Sequence, residues 1–370
     1  KYFLLPHLAS LASEYEITLV ANFSEDSAVH FGRLAVRVNH LRLVRRVRPF
    51  LDVIALVRLW RLFRWGRFDA VISVTPKAGL VAALAAFVAR VPTRIHWFTG
   101  QVWATSRFPA RGILKAVDRL IVRLITSGLV DGPSQLRYLR DQGIDRRQKL
   151  DVLLKGSISG VNPGRFKADG KTRTRVRNEL GIPAESPLIL CIGRVTRDKG
   201  VLDLAYAFAQ IRKDLKAELL FVGPDEDALS PEIDKIVASS GKRVTILPET
   251  DSPEKYLAAG DLLCVPSYRE GFGTAVLEGA ACGLPSIVSD VYGLKDSSIP
   301  GRTGLSYPVG NREKLAEALS RLAASSSLRA NMGEEGRAYA LRHFSQQDIV
   351  REFSVYVEHQ LNRQRSGSWA

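Results

Sequence analysis

The chain has 370 residues, of which 46% are hydrophobic and 25% are charged. These proportions are ordinary for a folded globular protein, exclude a disordered low-complexity chain, and at this length predict two domains. The formal net charge is +15, and the whole excess lies in residues 1–165, since the rest of the chain is neutral. An excess of one sign confined to one half indicates an anionic partner for that half.

Strands and helices alternate along the first half. The residue patterns predict helices at 2–12, 50–65, 78–90, 113–125 and 134–142, and strands at 17–21, 36–44, 69–74, 93–98 and 129–130. A series of this kind forms a mostly parallel sheet flanked by helices. The longest apolar run, at 80–91, is shorter than the ~20 residues that span a bilayer and is predicted to be a crossover helix.

A second series follows a Gly- and Ser-rich segment at 156–166, which is predicted to be a hinge. The predicted elements are strands at 188–192, 218–222, 243–247, 262–265 and 286–289, a helix at 201–212, and a last helix at 347–361. The expected fold class is therefore α/β with two doubly wound, Rossmann-like domains.

Cysteine and histidine usage bears on redox state and metals. Cys191, Cys264 and Cys282 lie in apolar segments without CxxC spacing, which favours buried thiols in a reducing compartment over disulfides or zinc. The six histidines are scattered. We therefore expect neither a metal nor a bound cofactor.

The first strand of the second series ends in two cations. Arg194 and Lys199 follow the apolar run at 188–192, between Gly193 and Gly200. Because ligands of open α/β sheets bind at the carboxyl ends of strands, a forked guanidinium and a compact ammonium at this place predict a phosphate site. The alternative is a solvated basic turn.

A Gly-rich turn between two glutamates precedes a predicted helix. The stretch is Glu270-Gly271-Phe272-Gly273-Thr274-Ala275-Val276-Leu277-Glu278. Small residues allow close backbone approach, and the helix start offers free N–H groups and a positive dipole end to a diphosphate. Alone, the stretch favours a surface helix with an acidic first turn. Together with the strand-end cations it favours a nucleotide-sugar site.

These motifs resemble the C-terminal half of the family-4 retaining glycosyltransferases, which have the GT-B fold. The resemblance rests on motifs in the family's order and spacing, namely Gly193-Arg194 with Lys199-Gly200, the stretch 261–278, Ala281 to Pro285, and Thr303-Gly304-Leu305. It is strong from Gly156 onward and looser before it. The most similar members build bacterial surface polysaccharides and lipid-linked oligosaccharides.

The resemblance implies roles for individual residues. Arg194 and Lys199 would hold the donor diphosphate and form the catalytic set with Glu270, which lies on the donor-sugar side, while Glu278 would bind the ribose. The implied donor-binding residues are Gly193, Arg194, Lys199, Glu270, Gly271, Phe272, Gly273, Thr274 and Glu278. The cations would take the role of a metal at the leaving diphosphate. Asp225-Glu226-Asp227 has the form of a DxD metal motif but lies in the donor-side domain, so we expect an acidic loop there.

The resemblance also implies domain boundaries. They are an acceptor-side domain at 1–155, a hinge at 156–166, a donor-binding domain at 167–345, and a C-terminal helix within 346–370 that packs back on the first domain. The two domains would face a cleft. Because relatives begin with an apolar strand where this chain opens on a helix, the first domain is expected to lack its first strand.

Acceptor-side candidates lie at the end of the strand 93–98. Relatives have His-Gly where this chain has Thr99-Gly100, so one donor-sugar contact is altered, although Thr99 still offers a hydroxyl. His96 lies on the strand itself, where alternation decides its face and a structural role is favoured.

Ten arginines and a single acid, Asp52, lie between Arg33 and Arg67. With the aromatic residues among them they predict a basic amphipathic helix that binds an anionic membrane surface or a phosphate-bearing lipid-linked acceptor. The alternative is that the apolar side of 50–63 covers the sheet while its arginines are solvated. No recognition motif supports nucleic acid as the partner. We expect a cytoplasmic protein that is peripheral on the inner face of the cell membrane.

The sequence therefore predicts a retaining transferase. It would move a sugar from a nucleotide-sugar, expected to be a UDP-sugar such as a UDP-N-acetylhexosamine, to a hydroxyl of a lipid-linked or polysaccharide acceptor. Two other classes stay open: an epimerase of the same fold that acts on a nucleotide-sugar, and a non-catalytic basic protein that binds a membrane or nucleic acid.

Overall fold

The computed structural model describes residues 4–22, 35–43 and 48–366, which form two compact units. Unit 1 is Lys1–Ser159 with Gln347–Ala370, and unit 2 is Gly160–Gln346. The first boundary falls within the segment predicted to be a hinge, and hinge motion stays a prediction. No helix among the described residues is long and apolar enough to cross a membrane.

Unit 1 is built on two parallel sheets. One pairs β1 (Ile17–Ala21) with β2 (Val36–His40), and the other has the order β3 (Ala70–Val74), β4 (Thr93–Phe98), β5 (Ser127–Val130) and β6 (Leu150–Val152). Its first helices are α1 (Leu5–Ala12), α2 (Pro49–Gly66), α3 (Pro76–Val88), α4 (Ala110–Leu124) and α5 (Pro133–Asp141). Within the described ranges β1 and β3 are not paired, yet both contribute to the same two apolar clusters. A further strand before the first helix stays a prediction.

Unit 2 contains one six-stranded parallel sheet. Its strands are β7 (Leu188–Ile192), β8 (Glu218–Val222), β9 (Arg243–Leu247), β10 (Leu262–Val265), β11 (Ser286–Ser289) and β12 (Gly304–Tyr307), in the spatial order β12-β11-β10-β7-β8-β9. Its helices are α6 (Gly170–Leu180), α7 (Val201–Gln210), α8 (Ser230–Ala238), α9 (Pro253–Ala259), α10 (Thr274–Ala281), α11 (Leu294–Ser297), α12 (Arg312–Ala324) and α13 (Ser326–His343). The chain moves outward from β7 to β9 and then crosses back to β10. The topological switch point of the sheet therefore lies between β7 and β10.

The last helix, α14 (Gln346–Arg365), lies almost wholly in unit 1. Its buried residues Phe353, Val357 and Leu361 share an apolar cluster with Ile95 and Trp97 of β4. The helix thereby covers one face of the four-stranded sheet. The predicted α/β class with two Rossmann-like domains is confirmed.

Candidate active site

Both segments predicted to bind the donor lie at the switch point of the unit 2 sheet. One follows β7, the other follows β10, and these strands are parallel neighbours. The segments touch, because Tyr268 donates its backbone N–H to the Asp198 carbonyl at 2.9 Å. A Cβ at Gly200, where φ is +69°, would lie 2.1 Å from the Pro266 carbonyl oxygen. Only glycine suits this positive φ and this close approach. Gly200 therefore allows the segment after β7 to pack against the segment after β10.

An ion pair between Lys199 and Glu270 connects the segments through side chains. Lys199 Nζ donates to Glu270 Oε1 at 2.5 Å, and Ser267 Oγ donates to the same oxygen at 2.8 Å. The two charged side chains remain 24% and 16% exposed, so a ligand can reach both. The carboxylate is held in one orientation, which suits a group that positions substrate hydroxyls.

Arg194 is held by acids at the same edge. Its guanidinium donates to Glu226 Oε2 at 2.9 Å and lies 3.8 Å from Asp198 Oδ2, and Asp198 also pairs with Arg269 at 2.7 Å. Burial raises the pKa of Asp198, but the Thr196 hydroxyl and the nearby cations outweigh burial, so this pKa lies below its ordinary value. The edge therefore carries cations whose charge is already balanced by carboxylates.

The acidic loop Asp225-Glu226-Asp227 belongs to this edge. Asp225 accepts hydrogen bonds at the start of α8, and Asp227 accepts one from the backbone N–H of Arg197 at 2.9 Å. Sequence reasoning placed this loop in the donor-side domain as an acidic loop but did not foresee the bond between Glu226 and Arg194. The available signal was that the loop follows a strand next to β7. Among the residues that the structure describes, no group of His, Cys, Asp or Glu side chains is placed to hold a metal ion.

Helix α10 begins directly after the Gly-rich turn. Gly273 precedes it with φ of +84°, and a Cβ there would lie 2.5 Å from the Leu294 side chain. Because α10 starts at the carboxyl edge of β10, its free N–H groups and positive dipole end lie on the edge that carries the cations. Phe272 is 2% exposed and packs on Phe344 with a centroid distance of 5.3 Å. Its side chain anchors the turn on the last residues of unit 2.

Glu278 lies one helical turn beyond Thr274, on α10. Burial raises its pKa to about 7, Arg165 opposes that increase, and Glu254 adds to it. Arg165 itself donates to Glu254 at 3.0 Å, so its charge is shared. A carboxyl with a pKa near neutrality changes charge within the working pH range of most enzymes. The proximity of Arg165 was not foreseen, because its segment was interpreted only as a hinge.

The acceptor-side candidates lie at the end of β4 in unit 1. His96 is fully buried, its Nδ1 lies 2.9 Å from Ser73 Oγ, and burial lowers its pKa to about 3. A Cβ at Gly79, at the start of α3, would come within 2.2 Å of its ring. His96 is therefore neutral and supports the packing of α3 on the sheet, while a contact with acceptor stays a prediction. Thr99 is partly exposed and Gly100 has φ of +105°.

Comparison with known proteins assigns both units. The chain matches the glycosyl transferase 4-like domain over residues 6–153 and glycosyl transferases group 1 over residues 172–339. The chain belongs to the family-4 glycosyltransferases and has their GT-B fold.

Individual relatives agree with this class. The chain is 27% identical over 315 residues to the capsular polysaccharide biosynthesis glycosyltransferase CapM of Staphylococcus aureus, a match that covers 84% of this chain and 82% of CapM. It is 29% identical over 204 residues to N-acetyl-alpha-D-glucosaminyl L-malate synthase of Bacillus anthracis, covering 55% of this chain and 52% of that enzyme. The crystal structure of Anabaena HepE in complex with UDP-glucose matches with a TM-score of 0.78 and 18% identity over 96% of this chain and 94% of HepE. At that identity the likeness establishes the fold.

Proposed function

We propose that this glycosyltransferase moves a hexosyl or N-acetylhexosaminyl group from a UDP-sugar to a hydroxyl of a lipid-linked or polysaccharide acceptor, with retention of anomeric configuration. The product is a cell-surface glycan. The observation that carries the proposal is the gathering of Arg194, Lys199, Glu270 and the start of α10 at one switch point. In open α/β sheets this is where a nucleotide binds.

The donor diphosphate is proposed to exchange partners with the carboxylates of the site. Its oxygens replace Glu226 on Arg194 and Glu270 on Lys199, and they accept hydrogen bonds from the first turn of α10. When the bond between the sugar C1 and the UDP oxygen breaks, negative charge grows on the diphosphate, and these fixed donors stabilise it. The C1–O bond to the acceptor forms on the same face, and the acceptor hydroxyl proton passes to the leaving phosphate oxygen.

The two glutamates are proposed to have different tasks. Glu270, freed from Lys199 but still held by Ser267, accepts a hydrogen bond from the donor sugar near the reacting carbon. Glu278, further along α10, accepts from the ribose hydroxyls. No metal or other cofactor is part of this proposal, because the cations supply the charge stabilisation at the leaving group.

The choice of nucleotide and acceptor rests on relatives and on charge. HepE is known in complex with UDP-glucose, and CapM is a glycosyltransferase of capsular polysaccharide biosynthesis. The +15 excess within residues 1–165 suits an acceptor that carries phosphate at an anionic membrane surface. Together they support a cytoplasmic enzyme, peripheral on the inner face of the cell membrane, that extends a lipid-linked glycan.

A thermal-shift panel tests the donor class. A ligand that binds the folded state raises the melting temperature by mass action, so UDP and one UDP-sugar should raise it while GDP should not. Loss of that shift in Arg194→Ala would assign it to the proposed site. A panel in which no uridine nucleotide raises the melting temperature would contradict the donor assignment.

Product analysis without acceptor separates a transferase from an epimerase, since only an epimerase converts the donor sugar into its epimer under that condition.

A further inference from the structure

Helix α2 carries apolar residues on two opposite sides. Ala55, Leu59 and Phe63 are at most 7% exposed and pack against α3 in one apolar cluster. Their spacing of four residues places them on one side of the helix. This side covers the unit 1 core, as a solvated surface helix requires.

The opposite side begins with a second apolar stripe, which belongs to none of the apolar clusters that the described residues form. At 3.6 residues per turn, the spacing i, i+3, i+4 and i+7 places these residues on one face. They are Phe50, Val53, Ile54 and Val57, with exposures of 89%, 58%, 47% and 40%. We call these four residues the outer stripe of α2. The expectation that the apolar side of this helix only covers the sheet therefore accounts for one stripe and leaves the other exposed in the part of the chain that the structure describes.

Charge identifies the partner that fits the outer stripe. Arg61 and Arg64 continue the same face toward the helix end, and both are exposed, as is Trp65 at 66%. The single acid of the helix, Asp52, is neutralised by Lys77 at 2.6 Å. A face with apolar residues, flanking arginines and an interfacial tryptophan matches an interfacial helix on an anionic bilayer. A protein partner would have to be both apolar and acidic to match it.

A second group of exposed apolar residues lies near the start of α4, at the same edge of unit 1 as the start of α2. Helix α2 leads into β3 and α4 leads into β5, so both helices start toward the carboxyl edge of the four-stranded sheet. Near the start of α4, Phe108 is 91% exposed and Ile113 is 64% exposed, with Arg107 and Arg111 beside them. Helix α3 packs between α2 and α4. Apolar and basic residues therefore line the edge at which α/β sheets bind ligands.

We propose that α2 is an interfacial membrane helix whose outer stripe inserts at the headgroup boundary of an anionic bilayer while its arginines bind lipid phosphates. The proposal deepens the proposed membrane partner by assigning insertion of particular apolar residues. It needs no substrate. A failure in vesicle binding therefore overturns this proposal and the proposed membrane location, whereas a failure in donor binding overturns the proposed donor.

The test is co-sedimentation of the full chain with vesicles of phosphatidylcholine alone and of phosphatidylcholine mixed with phosphatidylglycerol. We expect binding to the mixed vesicles only. The double variant Phe50→Ser/Ile54→Ser keeps the charge, and it should lower partitioning by about tenfold or more, because burial of such side chains is lost. The control Val88→Ser/Val355→Ser removes two exposed apolar residues elsewhere in unit 1, with exposures of 57% and 51%, and should bind like the original chain.

Two further measurements separate insertion from other modes. Lipids brominated near the headgroup should quench the fluorescence of Trp65 in the original chain and not in Phe50→Ser/Ile54→Ser. Loss of binding in Arg61→Gln/Arg64→Gln, with full binding in the serine variant, would show docking by charge alone and overturn insertion. A concentration-dependent dimer that the serine variant abolishes, without vesicle binding, would make a second copy of the chain the occupant and also overturn the proposal. An unchanged UDP thermal shift in every variant checks that the chain is folded.

Discussion

The two units differ in whether their basic side chains are paired with acids. At the edge of unit 2 the candidate cations are paired, Lys199 with Glu270 and Arg194 with Glu226. In the described part of unit 1, α2 carries exposed arginines, and its one acid pairs with Lys77 on the next helix. Paired cations suit a small anion, because carboxylates hold the site's geometry until the ligand exchanges with them. An unbalanced basic face suits an extended anionic surface, where many weak contacts add up and salt screens them.

The largest effect expected at the paired site is on turnover. Glu270→Gln keeps the size of the side chain but removes its charge, which we propose lies near the reacting carbon, so kcat should fall by roughly 100-fold, as for the loss of one preorganised electrostatic contact. UDP affinity should change much less, which steady-state kinetics and calorimetry measure together. The exposed Glu334→Gln on α13 serves as a control. Normal turnover of Glu270→Gln with the true donor would remove this carboxylate from the reaction.

Removing either cation of the candidate site, Arg194 or Lys199, should weaken donor binding. Arg194→Ala and Lys199→Ala are each expected to cost about 1.5–3 kcal/mol, the range for a hydrogen bond to a charged group, which corresponds to roughly 10- to 150-fold in UDP affinity. Titration calorimetry with UDP measures it directly. Lys235→Ala, an exposed cation on α8, should leave affinity unchanged. If both site variants bound UDP normally, the diphosphate would have to lie elsewhere.

A gain of affinity is expected when the competing acid is removed. Glu226→Gln frees Arg194 from an ion pair whose side chains are 26% and 40% exposed. A pair this exposed is worth at most about 1 kcal/mol, so UDP should bind up to about fivefold more tightly. Glu232→Gln removes another exposed pair, with Arg197, and should have no effect. Weaker binding in Glu226→Gln would mean that this acid positions Arg194 rather than competing for it.

The sequence predicts most of the unit 2 fold because its central strands are buried on both faces. The predicted bounds of β7, β8, β9, β10 and β11 agree with the structure. The predictions missed β6 and β12, which are short edge strands with only two apolar residues each, so their pattern is weak. The edge strand β9 was predicted because Val244, Thr245 and Ile246 are β-branched and give a stronger signal. In unit 1 the predicted strand at 36–44 ends at His40, and its last residue lies outside the described ranges.

The site was predictable where its residues follow a strand, and not where tertiary contacts decide. Arg194, Lys199 and Glu270 stand at strand ends, so parallel topology alone brings them together. The loop of Glu226 also follows a strand, but its ion pair with Arg194 and the approach of Arg165 to Glu278 join segments distant in sequence, which no local pattern contains. Likewise, α2 is apolar on two sides, and only packing shows which side is buried. Arg33, Arg45 and Arg46, three of the arginines predicted to bind membrane, lie outside the described residues.

The last expected effect concerns Glu278 and has opposite signs for stability and for binding. Its pKa in the folded protein is raised from 4.5 to about 7 by burial. The folded protein therefore holds this proton more tightly than the unfolded chain does. The resulting stabilisation is fully present when the pH lies below the ordinary pKa of 4.5, and it is lost as the pH rises to about 7. Glu278→Gln, which never ionises, should melt higher than the original chain at pH 8, by about 2–4 °C for each kcal/mol removed, and nearly equal to it at pH 5. The same variant should bind UDP more weakly, because it lacks the carboxylate that we propose accepts hydrogen bonds from the ribose hydroxyls. Thermal melts at the two pH values, with and without UDP, measure both effects, and Glu334→Gln should show neither.

A lower melting temperature of Glu278→Gln at pH 8 would contradict this prediction. It would show that Arg165 stabilises ionised Glu278 in the free protein, because the variant has lost that interaction. Glu278 would then support the fold of unit 2, whereas we expect it to lower the stability of the fold and to serve the ligand.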